Sequence, residues 1–335
     1  MQTLPKQAPR SAPIRAMRAG RDTARPVPGS EQEAFMKGIR TWSMAFTILG
    51  LACLGAVTAW ARQAQTQPSS PAAPAAPAPP PVFDPSKSDE KALAIADQTM
   101  SAMGNDAWSK AHYIKFTFVV KKGETRSIVR THYWDRFGQR SRMEGPSRDG
   151  KPVVAVVDHK THEGQATVDG QLLFDKDAKK YVDIAYGSLI NDSYWLFMSF
   201  KLKDPGVRLR YEGDLKTGSI TYDKIQLSFD DGIGLTSKDK YWLYVNRANH
   251  TIERWSYVLE GQGASAAPTA WDWTDWTDVG GMKLAMRKTQ PGGDVEIVLE
   301  NVQVPESLPE SVFTGTAAVA MDTHEAKAPS GPSGE

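Results

Sequence analysis

Residues 113–135 read YIKFTFVVKKGETRSIVRTHYWD. Ile114, Phe116, Phe118 and Val120 alternate with Tyr113, Lys115 and Thr117, which gives an extended segment one apolar and one polar face. Lys122 and Gly123 make a turn, and a second alternating run fills 127–135, so the stretch reads as a β-hairpin. The same period continues outward. Turn-separated strands are expected at 139–144, 153–158 and 164–174, and again at 207–212, 220–229, 240–246, 251–260, 269–278, 282–289 and 295–302.

Two helical patterns interrupt the strands. Before the hairpin, Ala92, Leu93, Ile95, Ala96, Met100 and Met103 recur at helical spacing, with Ser86 or Ser88 as cap and Gly104-Asn105 as stop. Between the two strand blocks, residues 176–202 carry Tyr181, Ile184, Leu189, Tyr194, Trp195, Phe197 and Phe200 in a helical pattern, which Asn191 and Asp192 are expected to split into two short helices. The fold class is therefore α+β, mainly β. Two strand blocks flanking an aromatic helical insertion imply a large curved antiparallel sheet with the helices on its concave face, because so apolar an insertion left in water would be costly.

The first 84 residues have a different character. Met36 to Ala61 runs MKGIRTWSMAFTILGLACLGAVTAWA, a basic head, an apolar run and a small-x-small ending at Ala59-Trp60-Ala61, the layout of an export signal. Residues 1–40 hold eight Lys/Arg against three Asp/Glu, in keeping with a cytoplasmic side to this segment. Two readings stay open: residues 36–61 are a cleaved signal peptide, or they are a retained inner-membrane anchor. Residues 1–35 are correspondingly a mis-assigned start or a basic disordered segment. Residues 62–84 are a Pro/Ala linker, 85–313 one folded domain, and 314–335 a disordered tail rich in Ala, Gly, Pro and Ser. The protein is thus expected in the periplasm or cell envelope.

Composition removes several functions. The chain has a formal net charge of +1, and with the basic first forty residues set aside the remainder is acidic, which argues against nucleic-acid binding. Cys53 is the single cysteine, so no intramolecular disulfide exists, and its place inside the apolar run makes it a core residue of the export segment rather than an acylation site. There is no Walker loop and no G-x-S-x-G elbow; the GQGASA run at 261–266 lacks a following helix and reads as a hairpin loop. Ser88 to Lys91 matches S-x-x-K, but at a helix start it reads as a cap.

The remaining candidates for chemistry are few. His159 and His162, with Asp158 and Glu163, sit at a strand end and polar turn, so no metal and no cofactor is assigned. Asp230 and Asp231 are adjacent on one strand and point to opposite faces. The run WDWTDW at 271–276 puts Trp271, Trp273 and Asp275 on one face of a regular strand and Trp276 on the other, suited to lining an apolar cavity, stacking a sugar or packing a core.

Several motifs are similar to those of a known group: MGNDAW (103–108), YWDRFG (133–138), NDSYWL (191–196), FKLKDPGV (200–207), KYWLYV (240–245) and WTDVGGMKL (276–284). Over about residues 86–313 the chain resembles uncharacterised exported bacterial proteins related to the outer-membrane lipoprotein-sorting (LolA/LolB-like) superfamily. The resemblance implies an unclosed half barrel whose concave apolar face, covered by helices, accepts acyl chains. It supplies no catalytic residue, so a non-enzymatic function is expected: binding of a lipid, a lipoprotein acyl chain or another hydrophobic ligand. The expected lining is Phe116, Phe118, Trp195, Phe197, Trp242, Trp255, Trp271 and Trp273. Membrane contact would run through residues 42–60 if they are retained. The alternatives are a tethered envelope sensor or scaffold with a protein partner, and a glycan or ester hydrolase using Asp272 or Asp275.

Overall fold

The computed structural model describes residues 82–317 with the exception of Ala264. Residues 1–81, which include the expected export segment with Cys53 and the expected linker, and residues 318–335, the expected tail, lie outside the described residues. Within them, thirteen strands make one antiparallel sheet. In chain order these are β1 (Tyr113–Lys122), β2 (Thr125–Asp135), β3 (Arg140–Pro146), β4 (Pro152–Asp158), β5 (Glu163–Val168), β6 (Gln171–Leu172), β7 (Val207–Thr217), β8 (Ile220–Phe229), β9 (Lys240–Asn246), β10 (Ile252–Val258), β11 (Thr269–Val279), β12 (Met282–Thr289) and β13 (Val295–Gln303). The helices are α1 (Glu90–Ala102), α2 (Asn105–Lys110), α3 (Asp175–Phe197) and α4 (Ser311–Thr314).

The spatial order is β6-β5-β4-β3-β2-β1-β13-β12-β11-β10-β9-β8-β7. The chain therefore starts in the middle, meanders to one edge, crosses by α3 to the other edge and meanders back. β6 and β7 end the sheet unpaired with each other, so it is not closed. Open edges invite pairing with other chains, and both are blunted here. β6 is two residues long, and β7 is covered: Leu209 N–H donates to the Ser88 hydroxyl at 2.9 Å and Tyr211 N–H to the Asp89 carboxylate at 2.8 Å.

That contact corrects one expectation. Ser88 does not cap α1, and neither does the Asp89 side chain, because both answer the unpaired donors of β7 instead. The helix is held by packing, with Ala92, Ile95, Ala96 and Thr99 forming its buried stripe at i, i+3, i+4 and i+7. It stops at Gly104, whose φ of 90° is cheap only for glycine; a Cβ there would meet the Gly281 carbonyl oxygen at 2.0 Å.

Two further expectations are corrected. The run 164–174 is not one strand, because Asp169 and Gly170 at φ 54° and 73° turn the chain between β5 and β6. Residues 175–197 form one continuous helix through Asn191 and Asp192. A tertiary ion pair holds Asp192 inside the helix, overriding its preference for caps.

All the larger helices cover one face. Leu189, Trp195, Leu196 and Phe197 of α3 share a buried cluster with Ala92 and Ile95 of α1, Trp108 of α2, Phe116 and Phe118 of β1, and Trp255, Trp271 and Trp273 of β10 and β11. The N-terminal half of α3 builds a second cluster, Val182 and Ala185 against Met143, Ala155, Val157 and Ala166. Near its end the helix makes curvature unavoidable: Tyr194 meets Tyr241 on β9 while Phe197 meets Trp134 on β2. Those strands stand six places apart in the order, about 29 Å in a flat sheet at ~4.8 Å per strand. One helical turn reaches both only if the sheet curls around it.

The opposite face carries the C-terminal segment. Val312 and Phe313 pack on Tyr133, and the fully buried Arg142 donates to the backbone oxygens of Gly315 at 2.7 Å and Ala317 at 2.6 Å. Among the described residues no helix is long and apolar enough to cross a membrane.

Candidate functional site

Beneath the last two turns of α3 the rings pack in a continuous patch of tilted and edge-on contacts. Trp195 lies 4.4 Å from Trp255 and 5.2 Å from Trp271, centroid to centroid, and Trp255 lies 5.6 Å from Trp273. On the other flank Phe197 stacks on Trp108 at 5.0 Å and meets Phe116 edge-on at 6.1 Å. Alternation explains the sheet side of this patch: Leu243, Trp255 and Trp271 are register partners across β9, β10 and β11, so all three point inward. Each ring pair adds roughly 0.5–1.5 kcal/mol to the burial itself.

One charged group fastens the helix to this interior. Asp192, fully buried, accepts two hydrogen bonds from Arg130, Nε at 2.7 Å and Nη2 at 2.6 Å, and one from His132 Nε2 at 2.8 Å. Arg130 and His132 are on β2 in phase with Ile128 and Trp134, opposite Phe118 and Phe116, which places them on the inner face. Burial acts to raise the Asp192 carboxyl, but the Arg130 charge and the hydrogen bonds outweigh it and hold the acid below its usual range. Burial also pushes the His132 imidazole down, more than Asp192 raises it. The pair is thus a neutral imidazole donating Nε2–H to a carboxylate, which leaves Nδ1 as a buried acceptor with no partner.

Other polar atoms in the interior are also unanswered. The indole N–H groups of Trp255 and Trp273 and the Tyr194 hydroxyl are buried without a hydrogen-bond partner. Lys288, opposite Trp273 across β11 and β12, is fully buried, lies 4.8 Å over the Trp273 ring and donates to the Ala285 carbonyl oxygen. Burial pushes its amine far below the lysine range, and no carboxylate offsets this.

Of the eight expected lining residues, Phe116, Phe118, Trp195, Phe197, Trp255, Trp271 and Trp273 come together in this patch, each at most 5 % exposed. Trp242 does not. It alternates out of phase with the inward Tyr241, Leu243 and Val245, and its indole N–H donates to Glu212 at 3.0 Å on the other face. The interior is filled by the rings themselves. Two surface clefts lie elsewhere, one around Gly145, Pro146 and Pro152, the other around Phe83, Gly206 and Ile233.

The remaining candidates are engaged in structural contacts. Asp275 sits at φ 56°, which interrupts the alternation of β11: it faces solvent and takes a bond from Arg287 at 2.8 Å, while Trp276 packs against the core, contrary to the regular-strand expectation. Asp272 is held by Arg254, and Asp230 by Lys87 and Arg208. His159 reaches the Ser141 hydroxyl at 2.8 Å, and burial takes its pKa down to about 4. Among the described residues no cluster of three or more His, Cys, Asp or Glu side chains has the geometry to hold a metal ion. The YWDRFG motif is a joint: Asp135 accepts from Gly138 N–H at 2.7 Å and Arg140 at 2.9 Å, and Arg136 stacks 3.5 Å over Trp108 while donating to its carbonyl.

Arg130, His132 and Lys288 were not signalled by any sequence motif. The signal available was phase, since each is polar in an otherwise inward-facing row.

No family model and no curated protein matches the chain. Among solved structures it is similar to a LolA superfamily protein from Nitrosomonas europaea, with 12% identity, 67% of this chain and 97% of that one covered, and a TM-score of 0.40. A DUF1329 family protein from Desulfovibrio piger matches at 10% identity over 68% and 99% of the two chains, TM-score 0.40. A domain assigned to outer membrane lipoprotein sorting in Vibrio parahaemolyticus matches at 12% identity over 67% and 96%, TM-score 0.37. The superfamily resembled in sequence therefore also supplies structural neighbours, at low identity and low score, and these assign no residue a role.

Proposed function

We propose that the protein is a non-catalytic binder of a hydrophobic, acyl-chain-like ligand in the cell envelope, and that the ligand enters between helix α3 and the aromatic face of the sheet. The observation that carries this reading is the set of unanswered polar atoms on aromatic side chains between the helix and the sheet: Trp255 Nε1 and Trp273 Nε1 from the sheet and the Tyr194 hydroxyl from the helix. Each such atom costs about 1–3 kcal/mol when buried without a partner, and phenylalanine at the same places would avoid the cost. A core built only for packing has no use for them. An interior that exchanges its own rings for a ligand does.

The filled interior is then the closed form, with Asp192 as its fastening. Native mass spectrometry of the mature protein, purified from cells in mild conditions, is expected to reveal a bound amphiphile. A bare polypeptide mass, together with no binding of added amphiphile, rejects the reading. That outcome favours the second one, a tethered scaffold or sensor, which the complete packing of the seven inward aromatics also supports.

A further inference from the structure

Lys288 is the one lysine buried at 0 % exposure among the described residues, and it has no acidic partner. Its register explains how it came to be inside. β12 presents Met282, Leu284 and Met286 to the core, and Lys288 is next in the same phase, paired across the sheet with Trp273 on one side and Ile297 on the other. The amine cannot escape along its stem to water, because both neighbours are themselves buried.

The Trp273 ring beneath the amine, 4.8 Å away, and the Trp255 ring next to it both carry an unanswered donor. Trp273 Nε1 has no acceptor, and neither does Trp255 Nε1 on the ring 5.6 Å away. The amine itself has the Ala285 carbonyl oxygen and the face of Trp273. β12 and β13 are register partners only over Arg287–Thr289, so the strands part just beside this point. Two indole donors and a lysine with one neutral acceptor among them describe half of a recognition site. What is missing is an acceptor, and with a single cation present the best match is one negative charge.

We propose that Lys288, with the indole N–H groups of Trp273 and Trp255, is the headgroup site of the buried ligand, and that the ligand is a single-chain amphiphile ending in a carboxylate, inserted head first. This rests on the binding reading above and narrows it. Burial disfavours a lone charge on this amine, so an acid that brings its own proton forms the ion pair without either charge entering the interior alone.

The test is equilibrium dialysis of the purified full chain against palmitate, 1-hexadecanol and hexadecyl phosphate, which share a chain and differ in headgroup. Palmitate is expected to bind at least about tenfold more tightly than hexadecanol, as a charge-assisted hydrogen bond in a dry site would give. In Lys288→Met, and to a lesser degree in Trp273→Phe, that preference should vanish while hexadecanol still binds. The wild-type comparison stands without any variant, should one fail to fold. Equal binding of palmitate and hexadecanol overturns the headgroup site and leaves hydrophobic binding intact; no binding of any of the three overturns both. A preference for hexadecyl phosphate over palmitate overturns the carboxylate.

Discussion

His132 Nε2 lies 2.8 Å from Asp192 Oδ2, and both side chains are wholly removed from solvent. With Arg130 the three form a neutral set that joins α3 to β2 in the middle of an aromatic interior. A buried set of this kind is weak evidence of net stabilisation, but breaking it is expensive, because the surviving charge stays behind.

Removing the carboxylate should therefore loosen the helix more than the sheet. Asp192→Ala leaves the Arg130 guanidinium without its acceptor and is expected to cost about 3–5 kcal/mol in denaturant unfolding. Amide exchange should rise most over the C-terminal half of α3. Unchanged exchange there would show that the aromatic contacts alone hold the helix down.

Stability should fall as the solution is acidified below about pH 6.5, the ordinary histidine value. The sign follows from burial: His132 is held below that value in the folded protein, so the unfolded chain takes up a proton first. His159, pushed to about 4, acts in the same direction. His132→Gln keeps a donor near Asp192 and should flatten part of the slope between pH 6.5 and 5; adding His159→Gln should remove the rest. The Asp192 carboxyl is depressed, so its own contribution is present above the normal aspartate range and disappears only in stronger acid. Urea midpoints across this range decide the matter.

Lys288→Met should raise the stability of the ligand-free protein. The substitution keeps an unbranched stem of similar reach and discards a buried amine, a change worth on the order of 2 kcal/mol. Because the folded-state value of the amine is depressed, its cost is present below the lysine range and shrinks as pH climbs toward it. A melting temperature lower than wild type would mean that the Lys288 contact with Ala285 stabilises more than its burial costs.

Gly104→Ala should be among the most damaging single-methyl changes in the domain. It combines a left-handed backbone with a clash on the Gly281 carbonyl, and Lys283 N–H, which donates to the Met103 oxygen at 2.9 Å, would be displaced with it. A loss of more than about 2 kcal/mol is expected. Gly123→Ala, also at positive φ but with open space around it, should cost less and serves as the comparison.

Strand positions were legible because apolar and polar residues alternate along segments such as residues 113–118, and a period of two survives whatever the tertiary partners are. The α3 helix was split in the sequence reading because Asn191-Asp192 carries the local signature of a cap; only Arg130 and His132, sixty residues earlier, reveal why an aspartate is tolerated mid-helix. Trp242 was grouped with the inward aromatics by residue type when its phase, shared with Tyr244, pointed the other way. Lys288 and Arg130 went unnoticed for the complementary reason. A charged residue in an apolar row is read as an edge of the pattern until register partners such as Trp273 and Phe118 are known on both sides.

Helix α3 leaves one rim of the sheet at β6 and rejoins the other at β7, so it is attached at both ends like the handle of a basket. A handle cannot swing clear as a free flap. On the proposed binding reading, entry beneath it requires the two rims to spread about the centre of the sheet, where β1 meets β13 and the neighbouring β12–β13 pairing spans only three register partners. The width of the mouth and the height of the handle are one coordinate, so a ligand that lifts the helix also flattens the sheet.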